Sequence, residues 1–99
     1  MAFKIVWSEL ACQDLRDIVE FIARDNRQVA EAFGFLLISK VDSLSRFPRM
    51  GRVVPEIEDD AFREIVFRSY RIIYHLEDAQ HAIAIIRIWH GARGEPEIL

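Results

Sequence analysis

The side chains best suited to hold an anion or move a proton lie in the C-terminal part of the chain: Arg63, Arg71, Arg87, His90 and Arg93. A guanidinium grips a carboxylate or phosphate through a planar two-pronged fork. An imidazole exchanges its proton near neutral pH and serves as general acid or base. His90 is the best single candidate for proton transfer, ahead of His75 and His81. It stands with Arg87 and Arg93 in the stretch RIWHGARGEP, Arg87 to Pro96. Strand alternation puts Arg71, Ile73 and His75 on one face, and Arg87 with Ile83, Ile85 and Trp89. A hairpin centred near Ala79 sets Arg71 nearly opposite Arg87. Like charges directly opposed destabilise a sheet. The pair therefore calls either for a bound anion or for nearby carboxylates such as Glu64. Arg63 and Glu64 form an adjacent pair, read as a solvated strand edge or as a cation aimed at a partner's carboxylate or phosphate.

Other chemistries find no footing. There is no G-x-S-x-G, no phosphate loop and no distinct carboxylate pair. Cys12 is the one cysteine in the chain and has no basic neighbour in sequence, so it reads as a packed thiol. No Cys/His group has zinc-ligand spacing. Neither a metal nor a cofactor is expected.

The 99 residues, 52% hydrophobic and 29% charged, describe one compact domain over residues 1–99. The net charge of −3 argues against a protein that grips nucleic acid through many phosphates. The charge is unevenly spread. Residues 1–60 hold 8 basic and 11 acidic side chains, whereas residues 61–99 hold 5 of each. No apolar run approaches the ~20 residues of a membrane helix. The N-terminal MAFKIVWSEL lacks the apolar segment of a signal peptide. A cytoplasmic location without membrane contact is expected.

The elements that must carry these side chains are legible as patterns. Phe3–Trp7 is short, β-branched and aromatic, and reads as a strand. Ser8 is an N-cap, and a helix follows from about Glu9 to Asp25. Ala11, Leu15, Ile18, Val19 and Ile22 form its apolar stripe, while Asp14, Arg16, Asp17, Glu20 and Arg24 fill the other face. Asn26 stops it. Phe33, Leu37, Val41 and Leu44 mark a second helix that ends at Phe47–Pro48. The short link makes an antiparallel helical hairpin. Phe47–Asp60 reads as a connecting loop. Phe62–Phe67, Tyr70–Leu76 and His81–His90 are strands joined by short turns, hence an antiparallel meander. The order is β-α-α-β-β-β, an α+β fold with a curled antiparallel sheet and an N-terminal helical hairpin packed on it.

Taken together, these segments resemble the RelE/ParE toxin superfamily of type II toxin–antitoxin systems. The resemblance rests on Trp7, Ala11, Asp14-Leu15, Ile18, Phe21-Ile22 and Asn26. It continues through SLSRFPRMGRVVPE (Ser43 to Glu56) and REIVFRSYRIIYHL from Arg63, and closes with IAIIRIWHGAR. It implies a growth-arresting toxin neutralised by a cognate antitoxin whose C-terminal segment wraps it. The exposed side of the helical hairpin and the sheet edge would be the contact surfaces. A homodimer and a toxin–antitoxin hetero-oligomer are both compatible with it. Members like RelE cut messenger RNA on the ribosome, using a concave sheet of Arg and Lys with a terminal His, Tyr or Glu. Members like ParE poison DNA gyrase. Arg71 matches the arginine that the nucleases keep in the same strand, and His90 lies near their histidine. In that branch these two would be catalytic. Arg63, Arg87, His90 and Arg93 would face the target or the antitoxin. HGAR is similar to the ParE (plasmid stabilisation) ending. No lysine follows Lys40, Gly91 stands where the nucleases place a tyrosine, and the spacing from Arg87 to His90 is one residue longer than theirs. The resemblance thus favours gyrase over messenger RNA.

Overall fold

The computed structural model describes residues 2–98. The strands are β1 (Lys4–Trp7), β2 (Arg52–Val53), β3 (Phe62–Phe67), β4 (Tyr70–Glu77) and β5 (Ala82–His90), and the helices are α1 (Glu9–Ala23) and α2 (Arg27–Asp42). They form one five-stranded sheet in the order β1-β5-β4-β3-β2. Three of its four pairings are antiparallel; β1 runs parallel to β5, so the sheet is mixed. The parallel edge follows from connectivity. The helical hairpin returns the chain to the opposite edge of the sheet, from which the meander runs back to β1. Among the described residues, no helix is long and apolar enough to cross a membrane.

Local chemistry sets the helix ends. The Ser8 hydroxyl accepts from the Ala11 N–H and begins α1. Asn26 lies beyond the end of α1 and also caps α2, its side-chain oxygen accepting from Val29 N–H. α2 stops at Asp42 and passes into a 3-10 turn, Ser43–Ser45, short of the proline. Ile18, Phe33, Leu37, Val41 and Leu44 pack on Ile65, Ile72, Tyr74, Leu76, Ile83, Ile85 and Ile88 from the sheet. Each fully buried aliphatic side chain of this kind contributes roughly 1.5–3 kcal/mol. On the opposite face of the sheet Val54, Ile73 and Trp89 form a second, smaller cluster.

Two expectations about the strands are corrected. The segment Phe47–Asp60 is not wholly a loop, since Arg52 and Val53 pair with Glu64 and Arg63 as an edge strand. The hairpin of β4 and β5 does not set Arg71 against Arg87. Ile73 pairs with Arg87 but Tyr74 with Ile85, leaving Ile86 as an extra residue in β5. This β-bulge reverses the alternation beyond it. Ile83 and Ile85 face the helices, while Arg87 and Trp89 face the other way and Arg71 lies opposite Trp89. Ser8 holds the bulge, its hydroxyl donating to the Ile86 carbonyl at 2.9 Å.

Tyr74 pins the edge strand. Its hydroxyl donates to the Pro48 carbonyl at 2.9 Å and accepts from the Gly51 N–H at 3.1 Å. A Cβ on Gly51 would lie 2.6 Å from both the Glu64 carbonyl oxygen and the Tyr74 hydroxyl. Gly51→Ala must therefore push β2 away from β3, at a cost of about 1–3 kcal/mol. A urea-unfolding free energy changed by less than about a tenth of that cost would show the edge to be free to move.

Candidate functional site

The turn between β3 and β4, the start of β4 and the exit of β5 meet the β2–β3 loop around an open groove of about 510 Å³. Arg52, Glu56, Ser69, Tyr70, Arg71 and His90 line it. The fold thus brings Arg71 and His90 to one groove. Arg63, Arg87 and Arg93 do not line it.

Arg71 is held from two sides. Its Nε–H donates to Oε1 of Glu64, and its two outer nitrogens donate to Glu56 at 3.0 and 2.7 Å. Glu64 has no exposed side-chain surface, and its second oxygen accepts from Arg52 at 2.7 Å. The alternation that sets Glu64 opposite Ile73 places it beneath Arg71 on the same face. Hydrogen bonding to Glu56 raises the Arg71 pKa, so the guanidinium stays charged. The same bond holds the Glu56 carboxyl below the ordinary carboxylate range. A depressed acid contributes stability above its unfolded pKa and loses it as pH falls through the folded one. Between about pH 5 and pH 3 the wild-type Tm should fall more steeply than that of Glu56→Gln. Parallel melting profiles across that range would show the pair is not linked to folding.

His90 has a defined ring orientation. Its Nδ1 accepts the Ala92 N–H at 3.0 Å and caps the 3-10 turn Gly91–Arg93. The neutral ring then carries its proton on Nε2. Such a ring donates from Nε2, and does not accept there until that proton has left. The imidazole meets Tyr70 edge-on at 4.9 Å. Burial raises the Tyr70 phenol pKa, which keeps it a neutral hydroxyl.

The other arginines are built into the fold. Arg87 makes a bidentate pair with Asp14 at 2.8 and 2.9 Å, which raises its pKa, and Asp14 also accepts the Ile88 N–H at 2.9 Å. The need for this arises from β1, which ends opposite Ile85 and leaves the rest of β5 without a strand on that side. Ser8 and Asp14 satisfy that bare edge from the first turns of α1. Arg63 donates to the carbonyls of Asp60, Gly51 and Arg49. Arg93 lies 3.9 Å from the Trp89 ring centroid, and the Trp89 Nε1–H donates to the Gly94 carbonyl. Arg68 stacks over Phe33 and Phe67.

Sequence reasoning missed Asp14, Arg52 and Glu56. The pattern puts Asp14 on the face opposite the apolar stripe, yet it is buried on the face that holds Ala11 and Ile18. The signal was its spacing, three residues after one and four before the other. For Arg52 and Glu56 the signal lay in an edge strand too short to show alternation.

A family model described as the ParE toxin of the type II toxin–antitoxin system, parDE, matches residues 5–94. Toxin RelE2 of Caulobacter vibrioides is 31% identical over 91 residues, covering 91% of this chain and 97% of that toxin. A chain of the chromosomal ParDE system from P. aeruginosa superposes with a TM-score of 0.73 at 17% identity, covering 90% of this chain and 96% of its own. A chain of the RelBE2 toxin–antitoxin complex from Mycobacterium tuberculosis gives 0.63 at 19% identity, covering 91% and 99%. At such identities these two structures establish likeness of fold alone. The family match over nearly the whole chain, together with the RelE2 relative, carries the assignment: the chain belongs to the ParE toxin family of type II toxin–antitoxin systems, within the RelE/ParE superfamily.

Proposed function

We propose that this toxin arrests growth by binding DNA gyrase in the manner of ParE, and that a cognate antitoxin neutralises it. The observation that carries the choice of target is the pairing of the sheet arginines. Cleavage of RNA by its own 2′-hydroxyl needs a base for that hydroxyl and free cations for the phosphate. In the groove, Arg71 is committed to Glu56 and Glu64, and Arg87 lies outside it, committed to Asp14. His90 directs Nδ1 at its own backbone turn. Arg68 also lines the groove but lies over the Phe33 and Phe67 rings, and no lysine follows Lys40.

The antitoxin's C-terminal segment is assigned to the helical hairpin. Phe21 and Phe35 are 66% and 73% exposed there, and a groove of about 420 Å³ runs between Leu15 and Val19 of α1 and Ala30, Gly34 and Ile38 of α2. An amphipathic segment that folds on binding would cover such a surface. The two solved structures of like fold, from a ParDE system and a RelBE2 toxin–antitoxin complex, support a partner of this kind.

Purified toxin should inhibit supercoiling by gyrase and trap cleaved DNA, and added antitoxin should reverse both effects. Unchanged supercoiling with no trapped DNA would overturn the reading. The second reading, ribosome-dependent cleavage of messenger RNA, draws on the meeting of Arg71 and His90 in one groove. It requires translation arrest in a cell-free extract that His90→Gln abolishes while antitoxin binding persists.

A further inference from the structure

Around Arg71 the fold holds one more carboxylate than its buried framework requires. Glu64 is fully enclosed and serves two cations, Arg71 through one oxygen and Arg52 through the other. That triad carries one net positive charge. Glu56 cancels it from outside. It comes from the loop between β2 and β3, its side chain is 26% exposed, and it meets the outer edge of Arg71 through two parallel hydrogen bonds. This is the geometry in which a guanidinium takes a phosphate or any carboxylate, two oxygens on one centre against two N–H groups.

We infer that the outer edge of Arg71 is an oxyanion-binding site that the chain's own Glu56 occupies in the free toxin. The ligand class is a group presenting two oxygens from one centre, the chemistry shared by phosphates and carboxylates. Such a group enters when Glu56 leaves. The rest of the site fits that class. Arg52, with its side chain 61% exposed, and Ser69 line the same groove, whose volume far exceeds that of a phosphate. With Glu56 withdrawn, the Arg52–Glu64–Arg71 triad is one charge short of neutrality, and an anion restores the balance. With Glu56 seated, an incoming anion meets a like charge at the Arg71 fork. Glu56 therefore sets the apparent affinity, because binding is reduced by the fraction of chains in which the fork is filled.

The test reads binding at Arg71 directly, by ¹⁵N NMR of arginine side chains. Wild type, Glu56→Gln and Glu58→Gln are titrated with inorganic phosphate, and in parallel with acetate, at constant ionic strength. Glu58 is an exposed carboxylate two residues away, so its variant removes the same charge from the same loop without touching the fork. Glu56→Gln should bind phosphate at least roughly tenfold more tightly than wild type, with the largest shift on the Arg71 guanidinium. Glu58→Gln should behave as wild type. Acetate matching the gain would extend the ligand class to carboxylates, and a gain with phosphate alone would narrow it to phosphates. Equal affinity in wild type and Glu56→Gln would overturn the inference. So would an equal gain in Glu58→Gln, or shifts that fall away from Arg71. No Arg71 variant is needed, so a folding defect cannot imitate either result. Gyrase is not in the assay, so failure here leaves the proposed target standing, and failure of that target leaves this site standing.

Discussion

Asp14→Ala should remove about 3–5 kcal/mol of folding stability, the cost of stranding one partner of a buried ion pair. Arg87 and Asp14 are 11% and 10% exposed at their side chains, and the same carboxylate accepts the backbone N–H of Ile88. The alanine leaves a charged guanidinium without its partner and a buried N–H without an acceptor. For a chain of this size, total stability is about 5–15 kcal/mol, and each kcal/mol lowers Tm by about 4–8 °C. The variant should therefore unfold tens of degrees earlier. Asp14→Asn keeps one acceptor oxygen and should lose less. Adding Arg87→Met to Asp14→Ala removes the stranded charge and should recover part of the loss. A urea titration of the four proteins decides the matter. If Asp14→Ala lost under about 1 kcal/mol, the β5 edge would have to be satisfied in another way.

The second large effect is expected from Arg71→Ala. Glu64 would keep Arg52 alone as its counter-ion, while its own side chain has no exposed surface. Removing one partner of a buried pair costs about 3–5 kcal/mol, and the surviving Arg52 bond holds the loss near the lower end of that range. Arg71→Ala would thus weaken growth arrest through lost stability whether or not Arg71 takes part in chemistry. The double variant Arg71→Ala, Glu64→Gln removes both charges and should regain most of the lost stability. On the gyrase reading, that refolded double variant still arrests growth. On the nuclease reading it is inactive although folded. Denaturation midpoints measured beside growth curves separate the two, and loss of arrest in the stably folded double variant would refute the gyrase reading.

Much of this protein was determined by sequence order alone. Ser8 and the apolar spacings of α1 and α2 specify a helical hairpin, because capping and a 3.6-residue period are local properties. The strand patterns from Phe62 to His90, with their short turns, specify a meander for the same reason. The family resemblance was also legible, since it rests on ordered residues from Trp7 to Arg93. What required the tertiary structure was the state of each charge. The bulge at Ile86 shifts Arg87 and Trp89 to the other face, and no alternation count can register one extra residue. The pairing of Arg87 with Asp14 spans almost the whole chain and exists because β1 is too short to cover β5. The pairing of Arg71 with Glu56 depends on a two-residue edge strand that carries no periodic signal. Sequence placed arginines on a sheet and a histidine at its exit. Long-range packing decided that Arg71 and Arg87 would be neutralised within the chain and that the histidine would cap a turn.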